Sequence, residues 1–310
     1  QLVVPAEKKP KIKGITFRPD QMELIKACTT KGRGIIAGGT GIGKTVIQAG
    51  VISCYKGFNV LLLAHTVAIT GQTFERFKEY GFKSIELFGG GNKAKKPTKQ
   101  IVISTIQSFV KLNPKDYVDY FDIVICDEVH HVCRKDSQYK RVLTAMLAPN
   151  KFGFTATPPK DPEGILISEG ILGPVIGELS IHKATELGIL AKPKMILKIA
   201  KYGPELENAR TWQQAYKHGI VENEHRNKQI VDTAIEYVDK GDPVLIFVVQ
   251  IKQGEALQEM LEERLNRKVA FVQGSMRGET RKKVQSQMQK KRGRVAIATT
   301  TWTEGTDIPG

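Results

Sequence analysis

Short apolar runs alternate with longer amphipathic stretches along most of this chain. Residues 34–38 (GIIAG), 59–65 (NVLLLAH), 100–105 (QIVIST), 121–128 (FDIVICDE) and 151–157 (KFGFTAT) are continuously apolar or β-branched. Strands covered on both faces read this way. Helical periodicity falls between them, for instance over 45–56 and 72–80. The rhythm then restarts: a strand at 242–250, a helix at 253–266, a strand at 268–274, a basic helix at 278–290 and a strand at 293–300. Proline and lysines interrupt the pattern at 187–198 (LGILAKPKMILK), which marks a boundary. The pattern predicts an α/β fold of two tandem doubly wound parallel-sheet domains, over 1–190 and 191–310. The second is expected to be incomplete, because no helix follows its last strand.

Two stretches carry the chemistry. GGTGIGKT (38–45) lies between a predicted strand and a predicted helix, the context a phosphate-binding loop needs. Gly38, Gly39, Thr40, Gly41, Ile42 and Gly43 would curl the backbone so that successive amides face phosphate oxygens. Lys44 would reach the β- and γ-phosphates, the Thr45 hydroxyl would ligate magnesium, and the helix N-terminus adds positive potential. The second stretch is VICDEVHHVCRK (124–135), which crowds acids, histidines and cysteines together. An apolar strand ending in two acids suits the other half of an ATP site. Asp127 would hold magnesium through water, and Glu128 would polarise the attacking water. Zinc on His130, His131 and Cys133 is the competing reading. Neighbouring histidines point in different directions on a strand or a helix, which disfavours it.

Composition narrows the class. A length of 310 residues favours two domains. No apolar run approaches the ~20 residues that span a bilayer, and the start QLVVPAEKKPKIK lacks a signal-peptide core. The four cysteines form no C-x-x-C pair and two lie in apolar runs, as reduced thiols of a cytoplasmic protein would. For a viral protein this would be the host cytoplasm. The net charge of +15 points to a polyanionic partner. Basic candidates for phosphate contact are Lys93, Lys95, Lys96 and Lys99, and eight Lys/Arg residues between 277 and 294.

Asp127-Glu128-Val129-His130 resembles the DExH box of superfamily-two helicases, and further motifs of that family follow in order. FRPDQ (17–21) resembles the adenine-recognition motif, implying nucleotide contacts by Phe17, Arg18 and Gln21. AHTVAITGQ (64–72) and IVISTIQSF (101–109) resemble the segments that hold the nucleic-acid backbone, implying roles for Thr66, Gln72, Ser104 and Thr105. GFTATP (153–158) resembles the S/T-A-T motif, implying that His130, Thr155 and Thr157 couple hydrolysis to strand handling. IATTTWTEGTDIP (297–309) resembles the motif that brings Thr299 to the backbone and Gly305 and Asp307 to the nucleotide. The resemblance implies two RecA-like domains, ATP and Mg2+ as cofactors, and a nucleic-acid-dependent ATPase. A monomer is the favoured oligomeric state.

Within the family, DEVHH and EGTDIP look most like the phage UvsW-type recombination and branch-migration helicases. Branched DNA, such as forks and Holliday junctions, is therefore the expected substrate. An RNA helicase, a restriction-complex translocase and an ATP-switched binding module are the alternatives. The sequence departs from the family at His65, where proline is usual, and at Val67, often a polar slot. The Q-x-x-G-R-x-x-R segment that supplies arginines to the γ-phosphate has no counterpart. The expectation is thus a piece of a longer protein that binds ATP and DNA but turns over slowly.

Overall fold

The first strands owe their burial to β-branched and leucine runs with almost no polar interruption. The computed structural model describes residues 2–7, 9–39, 41–89, 96–112, 117–274, 276, 280, 283–284, 286–288 and 294–299. It divides into two units, Gln1–Pro193 and Lys194–Gly310. In the first, β1 (Arg33–Gly38), β2 (Val60–Ala64), β3 (Ile85–Phe88), β4 (Ile101–Thr105), β5 (Ile123–Asp127), β6 (Asn150–Thr155) and β7 (Val175–Leu179) form one sheet. Its order is β3-β4-β2-β5-β6-β1-β7, with every pairing parallel.

Alternate residues of a strand feed opposite faces. Val60 and Leu62 enter one core with Leu24, Ile25, Ile47 and Val51, while Leu61 and Leu63 enter another with Phe109, Tyr117 and Leu143. The helices α2 (Lys44–Cys54), α3 (Val67–Glu79), α4 (Ile106–Phe109), α5 (Gln138–Ala145) and α6 (Pro162–Leu172) lie between these strands in the chain, with α1 (Pro19–Lys31) before the first and α7 (Ile181–Glu186) after the last. Their starts are legible in local chemistry. Thr66, Thr105, Ser137, Asp161 and Ser180 each accept a hydrogen bond from a first-turn amide. Pro19 and Pro162 take the first helical position.

The second unit has α8 (Pro204–Glu207), α9 (Trp212–Tyr216), α10 (Glu224–Asp239), β8 (Val244–Val248), α11 (Ile251–Leu265), β9 (Ala270–Val272) and β10 (Val295–Thr299). Among the described residues its sheet is parallel, with fully buried β10 between β8 and β9. Val231, Leu257, Leu261, Phe271 and Ile297 fill the core on one face.

Sequence and structure differ at the edges. β3 and β7 are absent from the pattern reading because both are half-exposed edge strands with little apolar continuity. α3 begins at Val67 rather than 72, because Thr66 caps it and its first turn is not amphipathic. The helix expected over 278–290, the strand end at Thr300, and Thr40, Lys93, Lys95, Trp302, Gly305 and Asp307 lie wholly or largely outside the described residues.

Candidate nucleotide site and its neighbours

Because the strands are parallel, the residues that end β1, β2, β4, β5 and β6 meet at one edge of the sheet. Gly38, the His65–Thr66 pair, Ser104–Thr105, Asp127–Glu128 and Thr155 all sit there. β1 runs through the glycine loop into α2, whose cap is Gly43 with φ +85°. A Cβ at Gly43 would lie 2.6 Å from Gln21 Nε2, so this backbone needs glycine for conformation and for space.

The adenine-motif residues brace the loop from behind. Arg18 Nη2 donates to the Ile42 carbonyl at 2.8 Å, and Gln21 Nε2 donates to the same oxygen at 3.2 Å. The Arg18 amide donates to Gln21 Oε1, and the Arg18 guanidinium grips Asp20 through two contacts. Phe17 is half-buried against the core beside Gly50. In the structure Arg18 and Gln21 secure the phosphate loop through the Ile42 carbonyl.

Lys44, the first residue of α2, places Nζ 3.0 Å from Glu128 Oε1 and 4.0 Å from Asp127 Oδ1. Glu128 occupies the left-handed region at φ +49°, an uncommon backbone state for a residue with a side chain. A 3-10 turn, Val129–Cys133, follows. It seats Val129 against β6 where Gly153 has no side chain; a Cβ there would lie 2.8 Å from Val129.

The two acids are held differently. Burial pushes the Asp127 carboxyl up, the Lys44 charge only partly offsets this, and the result is a rise to about 6. Burial acts on Glu128 in the same direction. Its hydrogen bond with His130 and the nearby Lys44 charge outweigh that effect and lower it to about 2. His130 Nδ1 lies 3.4 Å from Glu128 Oε2 and 3.0 Å from Thr155 Oγ1. The Thr157 amide donates to that same threonine oxygen at 3.1 Å. Lys44, Asp127, Glu128, His130, Thr155 and Thr157 thus form one connected group.

A magnesium nucleotide fits these residues. Asp127 Oδ1 is buried without a hydrogen-bond partner, which suits an oxygen kept for a cation or its water. Half-buried Thr45 brings a second oxygen from the start of α2. Cys126 is wholly buried in β5, its thiol pushed well up by burial, and the Cys133 thiol donates to the Gly164 carbonyl.

The residues expected to hold nucleic acid fall into two sets. Thr66 caps α3, accepting from the Ile69 amide at 3.3 Å, and Gln72 is exposed on that helix. Ser104 is fully buried and donates to the Thr105 carbonyl, while Thr105 caps α4 and bonds Ser108 Oγ at 2.9 Å. Those two hydroxyls are engaged within the chain. Thr299 ends β10 in the second unit and is buried.

The sequence pattern offers His131 only as a disfavoured zinc ligand and gives no place to Tyr139. His131 lies at the centre of a ring stack beside this site, with Tyr139 behind it, described below. Their only sequence signal is the histidine doublet itself, since their partner His65 comes from another strand end.

Residues 14–160 match the family model of the res subunit of type III restriction enzymes, and residues 217–310 match the helicase conserved C-terminal domain. The chain belongs to the superfamily-two helicases. This helicase-family chain is 28% identical over 169 residues to the DNA 3'-5' translocase XPB2 of Sulfurisphaera tokodaii, covering 54% of this chain and 37% of that protein. With a second curated relative, from Halobacterium salinarum, the covered share of the relative is 41%. The helicase chain therefore spans about two fifths of the length of these two curated relatives.

Among solved structures, a Vibrio vulnificus fragment described as an HsdR subunit of a type I restriction enzyme superposes with TM-score 0.66 at 20% identity. That match covers 94% of this chain and 56% of the other. S. cerevisiae Dbp5 bound to RNA and ADP BeF3 gives 0.65 at 16% identity, covering 94% and 72%. At these identities the likeness speaks to fold: two tandem RecA-like parallel-sheet domains. Among the described residues no helix is long and apolar enough to cross a membrane.

Proposed function

We propose that this chain is the ATP-driven core of a DNA helicase or translocase. Residues 1–190 would form its nucleotide-hydrolysing domain and 191–310 its helicase C-terminal domain. The observation that carries this reading is the unbroken series Lys44, Glu128, His130 and Thr155, each within 3.4 Å of the next. It runs from the phosphate loop, through the acid that would activate water, to the S/T-A-T threonine.

Bound magnesium, held by Thr45 and Asp127, would neutralise charge that builds on the transferred phosphate. Glu128 would orient the attacking water and accept its proton. At about 2 its pKa makes it a weak acceptor, and the Lys44 charge is one reason. Drawing Lys44 onto phosphate oxygens would take that charge away from Glu128, while the hydrogen bond with His130 would stay. Arg18 and Gln21 would fix the loop carrying Lys44 while they meet the adenine.

Thr66 and Gln72, with Thr299 of the second domain, would contact the nucleic-acid backbone. Ser104 and Thr105 would shape the neighbouring loop. The net charge of +15 supports a polyanionic substrate. Branched DNA remains the substrate we favour, on the likeness of DEVHH and EGTDIP to the branch-migration helicases, with recombination or repair as its setting. By itself this chain, whose sequence holds no Q-x-x-G-R-x-x-R segment, is expected to turn over slowly. The match to a restriction res subunit favours a second reading, a translocase that moves on duplex without parting it. Fork unwinding and triplex displacement, each on DNA and RNA, separate these possibilities.

Replacing Glu128 tests the core of the proposal. In the full-length protein E128Q should bind ATP with unchanged affinity and hydrolyse it about 10²–10⁴-fold more slowly. Hydrolysis by E128Q within a few-fold of wild type would remove Glu128 from the chemistry.

A further inference from the structure

β2 and β5 are parallel neighbours, with Leu63 opposite Cys126, so the segments leaving their ends emerge side by side. There the rings form a row. His65, the residue between β2 and the Thr66 cap of α3, stacks on His131 with centroids 4.4 Å apart and planes at 29°. His131 meets His130 at 4.2 Å. Tyr139 of α5 closes the row from behind, 5.6 Å from His131 and 6.2 Å from His65.

His131 is fastened through its backbone. Its amide donates to the Glu128 carbonyl at 3.2 Å, and Ser137 Oγ donates to its carbonyl at 2.7 Å. Its side chain is buried, and Nδ1 has no hydrogen-bond partner. A buried polar atom left without a partner is destabilising, and an aliphatic side chain would fill the space without that penalty. What the aliphatic side chain could not do is keep a stiff, flat ring between two other rings. One end of the row adjoins Thr66; the other is His130, which touches Glu128 and Thr155 directly.

We propose that His131 is a positioning residue that couples the N-terminus of α3 to Glu128 through the row His65–His131–His130. A nucleic-acid strand held at Thr66 would shift the start of α3, and the stacked rings would pass that shift to the acid that activates water. The proposal rests on the motor reading above. His130 reaches Glu128 and Thr155 through its own contacts, so hydrolysis without nucleic acid does not need His131. Stimulation by nucleic acid does.

Steady-state ATP hydrolysis by the full-length protein, with and without saturating forked DNA, tests this for wild type, H131L, H131F, H65L and the H65L/H131L double variant. H131L should keep its basal rate within about twofold and lose about tenfold of the DNA stimulation, a coupling of ordinary size. H131F, which restores a flat ring, should recover most of the stimulation. The double variant should be no worse than either single one, since all three break the same row. Should H131L fail to fold, H65L breaks the row from the other side and reads the same loss.

Two results overturn the proposal: H131L stimulated as well as wild type, or basal and stimulated rates falling by the same factor, which is the signature of packing alone. A wild type that hydrolyses ATP at one rate with and without DNA overturns the motor reading itself, and this inference with it.

Discussion

At the scale of single residues, the site holds charges that are costly to hold. Asp127 is buried beside Glu128 with its carboxyl raised to about 6 from an ordinary 3.8. Between those values the folded chain binds more protons than the unfolded one, so this group's contribution to stability falls as pH rises from about 4 to 6. D127N removes the titration. Without nucleotide it should be more stable than wild type above pH 6 by about 1–3 kcal/mol, with the gap closing toward pH 4, while magnesium-dependent nucleotide binding is lost. Thermal melts across pH, paired with nucleotide titrations, check both halves.

Lys151 shows the opposite sign far from the chemistry. It is buried in β6, and Nζ donates to the Leu143 and Met146 carbonyls, capping the end of α5 at 2.7 and 2.8 Å. Burial, helped by the Arg33 charge, lowers its pKa to about 8 from 10.5. Between those values the unfolded chain carries a proton that the folded one lacks, so stability rises with pH through that window. K151M should cost about 1–3 kcal/mol through the two stranded carbonyls. The wild-type advantage in melting temperature should widen from pH 8 to 10.

At the scale of elements, function depends on where strands stop and helices start. α2 begins at Lys44 because Gly43 turns the chain at φ +85° with Gln21 packed against it. G43A should strain that turn and push Gln21 off the Ile42 carbonyl, at a cost of about 1–3 kcal/mol, and weaken nucleotide binding at least tenfold. A G43A protein with wild-type melting and affinity would remove the loop's geometry from the account. The 3-10 turn after β5 relies on a parallel arrangement: Val129 lies on Gly153 of β6, which keeps Glu128 and His130 over the sheet edge.

At the scale of the whole molecule, the two units have separate interiors. Both cores of the seven-stranded sheet draw only on residues up to Leu190, and those of the second sheet only on residues from Ile230 onward, among the described residues. Residues 1–193 expressed alone should therefore fold cooperatively and bind nucleotide. Circular dichroism melts and a nucleotide titration would show it; a molten or aggregated product would mean that the first unit depends on the second.

The sequence by itself determined the strands that run through the cores, the phosphate loop, the acid pair and the family. Each is a local pattern: a buried strand must be apolar throughout, and a phosphate loop must spend its glycines at fixed spacing. Edge strands β3 and β7 escaped that logic because a strand exposed on one side needs no continuous apolar run. Tertiary structure alone decided that Arg18 and Gln21 meet on the Ile42 carbonyl, that Ser104 turns inward, and that His65 and His131 stack. Those relations join residues up to 66 positions apart in sequence, through the pairing of β2 with β5. Strand order follows from how the two faces of the sheet are covered, and no single segment encodes it.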